Sequence, residues 1–221
     1  MFSIDVIILT KSSKHDKYCV AGIELKTREW VRLVSTNDGC DGAVSKYEMT
    51  DINGYEIVPL DVVRVRVNRK CPIGCQSENY ELTYGYKWQV IKKLSFNDAI
   101  KYAYPCRSKF IFGNSYMYIS HERIEEQKNS LLIAEVKNLT IFKNEQRKSK
   151  CSFKYGGYTY DTISMTDPEY YHYEFCYIEN AYIVVSLPHT EYNGKHYKFV
   201  AKIFPLTSII TKITPLSDLF D

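Results

Sequence analysis

The segment Asp61–Asn68 reads DVVRVRVN, and its alternation of apolar and polar residues constrains the fold more than any other feature. In an extended chain, successive side chains point to opposite faces. Val63, Val65 and Val67 therefore share one face while Arg64 and Arg66 share the other. A helix would scatter these residues around its axis. The period predicts a strand over Val58–Asn68 with an apolar face for a core and a basic face opposite it. Short β-branched or aromatic runs predict further strands at Ile4–Leu9, Tyr18–Leu25, Trp30–Ser35, Tyr80–Tyr84 and Lys87–Lys92. Others follow at Leu131–Phe142, Ser152–Tyr155, Tyr158–Met165, Ala181–Leu187, Tyr197–Phe204 and Ser208–Ile213.

Turn chemistry punctuates these runs. Lys11–Lys17 is polar and turn-like, Lys26–Glu29 is a hairpin loop, and Asn37–Gly42 is a loop rich in Asn, Asp and Gly. Gly85 suggests a hairpin between its two flanking strands. Gly156-Gly157 and Asn193-Gly194 are hairpin dipeptides, and Gly22 permits a bend or bulge. Ser95–Tyr104 differs from the rest. Ser95 can cap a helix start, Asp98 suits the first turn, and Pro105 follows the end. A shorter helical turn is expected near His121–Lys128. Strands, a helical connector, then strands again predict a mostly β chain: two small barrels or a sandwich pair, over residues 1–94 and 131–221, joined by a connector at 95–130. The halves show no sequence repeat.

Composition excludes little and directs less. The 221 residues suffice for one large all-β domain or two small ones. Net charge is only +3, so any binding of nucleic acid must come from a local patch. The 20 tyrosines favour strands and supply flat amphipathic contact area. Seven irregularly spaced cysteines fit reduced thiols in a cytoplasmic protein. The N-terminus lacks a basic segment before its apolar run, and no apolar segment reaches membrane-spanning length, so neither a signal peptide nor a membrane partner is expected.

Candidate functional residues lie on the strand faces. Arg64 and Arg66 share one face. Lys198 and Lys202 share another, opposite Tyr197, Phe199, Ala201 and Ile203. Polar outward faces are the default in antiparallel sheets, so each row alone is also what solvation demands. Arg32 differs, because Trp30 and Val34 share its face. An arginine among apolar side chains needs a buried carboxylate or an anionic ligand. Glu78 and Asp167 are its candidate structural partners. No metal site is expected: Cys71 and Cys75 lack a second pair at zinc-ribbon spacing, and His189 with His196 supply only two ligands. Asp161, Asp167, Glu169 and Glu174 could hold Mg²⁺ or act as acid and base, although Asp167-Pro168 also reads as a turn. No phosphate-binding glycine loop, nucleophile elbow or zinc-protease motif occurs, and no cofactor is expected. The run Lys143–Lys154 carries excess positive charge and also reads as a solvated loop.

Four segments in order resemble the bacterial dual OB-containing domain family. CVAGIELKTREWVRLVS (Cys19–Ser35) is similar to that family's Gly-Ile strand, turn and Trp-Ile-Arg-Pro-Val-Ser-like strand. QSENYEL (Gln76–Leu82) is similar to its Gln-x-Glu-Asn segment, MTDPEY (Met165–Tyr170) to its Thr-Asp-Pro motif, and SLPHTEYNGKHYKFVAKIF (Ser186–Phe204) to its C-terminal segment. Leu33 and Pro188 depart from the family's usual Pro and Gly. The resemblance implies two OB-like barrels and no particular activity. OB folds present basic and aromatic side chains to single strands. On that basis the expected nucleic-acid-binding residues are Arg64, Arg66, Lys87, Trp88, Lys92, Lys198 and Lys202, with no catalysis. The alternatives are a protein-interaction scaffold, and a nucleotide sensor or metal-dependent enzyme built on Asp161–Glu174.

Overall fold

A computed structural model describes residues 1–36 and 42–211. The first half holds strands β1 (Phe2–Lys14), β2 (Lys17–Glu24), β3 (Trp30–Val34), β4 (Asp61–Lys70), β5 (Asn79–Leu82) and β6 (Gln89–Lys93). Their order is β1-β2-β3-β5-β4-β6, and β1 also pairs with β4, so five strands close into a barrel with β6 as an extension. Every barrel pairing is antiparallel except β3 with β5. The second half holds β8 (Leu131–Lys143), β9 (Ser149–Tyr155), β10 (Tyr158–Met165), β11 (Phe175–Ser186), β13 (Phe199–Pro205) and β14 (Ile209–Thr211). Its strands close in the order β8-β9-β10-β13-β11, with β11 returning to β8 and β14 added at the edge. The parallel seam is again between third and fifth strands, here β10 and β13. The halves are thus one topology repeated, the five-stranded Greek-key barrel of the OB fold, although their sequences show no repeat.

Each barrel has its own core. Val6, Ile8, Val20, Leu33, Val63, Val65 and Trp88 fill the first, and Val136, Ile141, Phe153, Tyr160, Ile163 and Val200 belong to the second. A third apolar layer joins them, with Ile7, Leu9 and Ile23 from the first barrel against Leu131, Ile133, Val184 and Phe204 from the second. This explains the unbroken run Val6–Leu9: β1 is covered on both faces, by its own barrel and by the other one.

Several expectations are corrected. Lys11–Lys14 continues β1, and only the turn at His15-Asp16 separates it from β2. The partner strand holds this segment extended, overriding its polar composition. The strands flanking Gly85 do not form a hairpin, because β5 and β6 lie end to end along one edge of β4, at Val67–Lys70 and Asp61–Arg64, while β1 holds the other edge. The connector is mostly irregular. Its helix is one turn, Phe96–Ala99, capped as expected by the Ser95 hydroxyl accepting from the Asp98 N–H, and it is followed by short 3-10 turns. A two-stranded ribbon pairs β7 (Tyr118–Ser120) with β12 (Lys195–Tyr197). The two dipeptide turns have positive φ at both positions, as the tight primed turn requires. The expected loop Asn37–Gly42 lies outside the described residues apart from Gly42, and the strand expected to reach Ile213 is described only to Thr211.

Gly22 sits where β1 carries a bulge between Ile8 and Thr10. A Cβ there would lie 1.8 Å from the Ile7 carbonyl oxygen, which is backbone and cannot swing aside. Gly22→Ala is expected to destabilise the chain by about 3 kcal/mol or more, measured by urea unfolding. An unchanged midpoint would contradict this close approach.

Candidate nucleic-acid interface and inter-barrel cleft

The candidate residues separate into surface and interior groups. On β4, burial alternates from Val63 to Val67, leaving Arg64 and Arg66 outward. Arg64 makes a two-pronged ion pair with Asp5 of β1, at 2.7 and 2.8 Å, which neutralises it locally. Arg66 lies over the exposed Tyr86 ring, 4.3 Å from its centroid. Lys87 lies 3.5 Å from the centroid of Tyr47, also exposed, and donates to the Tyr47 carbonyl. Lys92 is exposed on β6. A bulge between Val67 and Arg69 leaves both Arg69 and Lys70 outward at the end of β4.

Trp88, Lys198 and Lys202 belong to the interior, which corrects their assignment to a binding surface. Trp88 is 2% exposed and fills the first core, so no base can stack on it. Lys202 is 4% exposed and pairs with Asp167 at 3.1 Å and with Glu169. Lys198 is 1% exposed and donates to the Asn114 carbonyl and side-chain oxygens, each at 2.8 Å. Their alternation resembles a solvated face, but Lys198 falls in the break between β12 and β13, where Asn114 and Met117 of the connector cover it, and β13 itself lies between its own core and the first barrel. Asp167 also bonds the Ile203 N–H, and burial pushes its carboxyl above the usual range despite the Lys202 ammonium.

The carboxylates of the Asp161–Glu174 stretch do not gather into one site. Asp161 is exposed on β10, Asp167 caps the turn at Pro168 and serves Lys202, and Glu174 makes a two-pronged pair with Arg147. That pair and the bonds of Lys143 to Ser149 and Tyr171 occupy part of the basic hairpin around 143–154. Cys71 and Cys75 are free thiols whose pKa values burial raises, to about 11 for Cys75.

Arg32 is 7% exposed. Its Nη2 donates to the Ser130 hydroxyl at 2.7 Å and approaches Glu78 Oε1 at 3.5 Å, and the Ser130 hydroxyl and N–H both donate to Glu78. Ser130 immediately precedes β8, so the cluster ties the first barrel's parallel seam to the second barrel. Of the two proposed partners, Glu78 lies beside Arg32 and Asp167 beside Lys202. Arg32 Nε is buried without a partner. Arg32 also lines two adjoining cavities, of about 460 and 280 Å³, which share Lys14, Cys19, Gln76 and His189 and so form one cleft between the barrels. Arg69 and Lys70 stand at its mouth, and the described residues lining it include no carboxylate. Sequence reasoning missed this cleft, because its walls come from segments more than a hundred residues apart, such as Arg32 and His189.

Two five-stranded barrels with parallel third-to-fifth seams define a tandem OB protein. The chain belongs to the dual OB-containing domain family, whose sequence model matches residues 4–203. No curated protein matches it. Among solved structures it is similar to a murine DNA-binding protein bound to double-stranded DNA, at 10% identity and a TM-score of 0.36 over 93% of this chain and 100% of that one. It is also similar to a HINa domain in complex with a 20 bp double-stranded DNA, at 10% identity and a TM-score of 0.37 over 93% and 97% of the two chains. Overlaps this low assign neither residues nor a ligand.

Two variants probe the interior charges. Arg32→Ala leaves Glu78 buried without its cation and is expected to cost about 3–5 kcal/mol in chemical unfolding. An unchanged unfolding midpoint would show that the cluster is not structural. Burial lowers the Lys198 pKa to about 7 from 10.5. Between these values the unfolded chain holds the proton and the folded chain does not, so stability should rise with pH across that window and level off below it. Lys198→Met is expected to flatten that rise and to stabilise the fold near pH 7. The Asn114 oxygens keep other donors in Tyr160 and Tyr116.

Proposed function

We propose that this protein binds single-stranded nucleic acid, without catalysis, on its first barrel along β4 and into the inter-barrel cleft. The observation that carries this reading is the continuity of Arg66 and Lys70, with Arg69 between them held by Glu81, with a cleft whose described lining has basic groups and no carboxylate. Phosphates are held by such rows, and bases stack on exposed rings that neighbouring cations keep in place. Tyr86 beneath Arg66 and Tyr47 beneath Lys87 supply those rings. Lys92 extends the basic surface on β6. At the floor of the cleft, a phosphate oxygen would give the unpartnered Arg32 Nε an acceptor. The modest net charge fits a short track rather than a broad electrostatic footprint.

The test is fluorescence anisotropy with labelled single-stranded DNA and RNA oligonucleotides across a salt series. Log affinity should fall with log salt by about 0.7 per phosphate contacted. Substituting Arg66, Lys87 and Lys70 together with alanine should reduce that slope by about 2, and Tyr86→Ala should weaken binding with little change in slope. Salt-insensitive binding, or none at micromolar protein, would favour a protein-interaction role for these barrel faces. Equal binding by the triple variant would place the interface elsewhere.

A further inference from the structure

His121, Glu191 and His196 converge at the end of the β7–β12 ribbon, away from the proposed nucleic-acid row. His121 follows β7, His196 sits in the middle of β12 opposite Ile119, and the Asn193-Gly194 turn folds Glu191 back toward both. The His121 N–H donates to the Gly194 carbonyl at 2.9 Å, fixing the end of the ribbon. His121 Nδ1 lies 3.0 Å from His196 Nε2 and 3.0 Å from Glu191 Oε2. All three potential ligand atoms fall within 4.8 Å of one another, the one such group of three among the described residues.

Proton bookkeeping shows what this arrangement suits. His196 Nδ1 is 3.0 Å from the Pro188 carbonyl oxygen, which can only accept, so Nδ1 carries the hydrogen. In the neutral ring the lone pair is then on Nε2, the atom that faces His121. Glu191 Oε2 is a second acceptor. A single N–H on His121 Nδ1 must therefore serve two acceptors, and if His121 carries its hydrogen on Nε2 instead, three lone pairs face one another. A cation at their centre satisfies all three together.

The supporting contacts follow the usual pattern for a ligating histidine, whose second nitrogen is held by a backbone carbonyl that fixes tautomer and ring orientation. His196 is the rigid member, buried and held by Pro188. His121 and Glu191 are exposed, so small rotations of these two close the shell without disturbing the core. Ligand atoms around a tetrahedral ion with bonds of about 2.0 Å are roughly 3.3 Å apart, close to the two 3.0 Å separations here. Two imidazoles and a carboxylate select a borderline transition ion over Mg²⁺ or Ca²⁺, which prefer oxygen ligands.

We infer that His121, Glu191 and His196 form a binding site for a divalent transition-metal ion, with Zn²⁺ the best match, that pins the β7–β12 ribbon and leaves a coordination position for water or another ligand. The missing signal in sequence is separation: His121 and His196 lie 75 positions apart, and no short motif links them.

The test uses the full chain, stripped with a chelator and titrated with Zn²⁺ by calorimetry, with a parallel thermal-shift series. One ion per chain is expected, with a rise in melting temperature and no comparable response to Mg²⁺. His121→Ala and Glu191→Gln change exposed side chains and should leave the stripped protein folded, while each weakens Zn²⁺ binding by about tenfold or more. Substoichiometric binding by the parent, equal affinity for Mg²⁺, or undiminished Zn²⁺ binding by His121→Ala would overturn the assignment. The last result would direct attention to other ligands such as Cys71 and Cys75. Because these variants leave Arg66, Lys70 and Lys87 intact, failure of this site leaves the nucleic-acid reading unaffected.

Discussion

Each barrel closes through a short parallel seam between its third and fifth strands, and much of the molecule is organised around those two seams. The ladders are brief, three paired positions in the first barrel and two in the second, and parallel pairing is slightly weaker per residue than antiparallel. Both seams carry a buried ion pair, with the charges exchanged. In the first, the cation Arg32 is on the third strand and Glu78 immediately precedes the fifth. In the second, Asp167 follows the third strand and the cation Lys202 is on the fifth. Such pairs gain little over apolar packing, but they tolerate the loss of neither member. Any arrangement that parts the third and fifth strands would therefore leave a charge buried and unpaired.

The seams also bring the barrels together. Ser130, ahead of the second barrel, completes the Arg32–Glu78 cluster, and the Ser13 N–H of β1 donates to the Thr166 carbonyl beside Asp167. Arg32 and Thr166 then line the same cavity. The cleft is thus a consequence of how two closed barrels meet, and its polar floor is made of seam residues. The apolar layer through Ile7, Leu9, Leu131 and Phe204 lies beside it and holds the two barrels in one arrangement.

The cations divide by what surrounds them. Arg66 and Lys87 rest on exposed tyrosines, and Lys92 is exposed. Arg64 is held by Asp5, Lys202 by Asp167 and Glu169, and Lys198 by oxygens of Asn114, with no carboxylate paired with it among the described residues. A net charge of +3 therefore says little about the surface, since several positive groups are internal and serve the fold.

The alternation in DVVRVRVN, the paired glycine and Asn-Gly turns and the Ser95 cap were enough to read a mostly β chain of two barrels or a sandwich pair, and the ordered family-like segments implied that they are OB-like. The former signals are local: they depend on backbone geometry and on which neighbours share a face. The burial of Lys198, Lys202 and Trp88, the placing of β5 and β6 end to end along one edge of β4, the choice of Glu78 beside Arg32, and the meeting of His121 with His196 were settled only by the tertiary structure. Period two divides a strand into two faces, but it does not state what covers them. When a second barrel covers the outward face, residues patterned for water become interior groups. Partners then come from distant strands, chosen by closure and docking rather than by position along the chain.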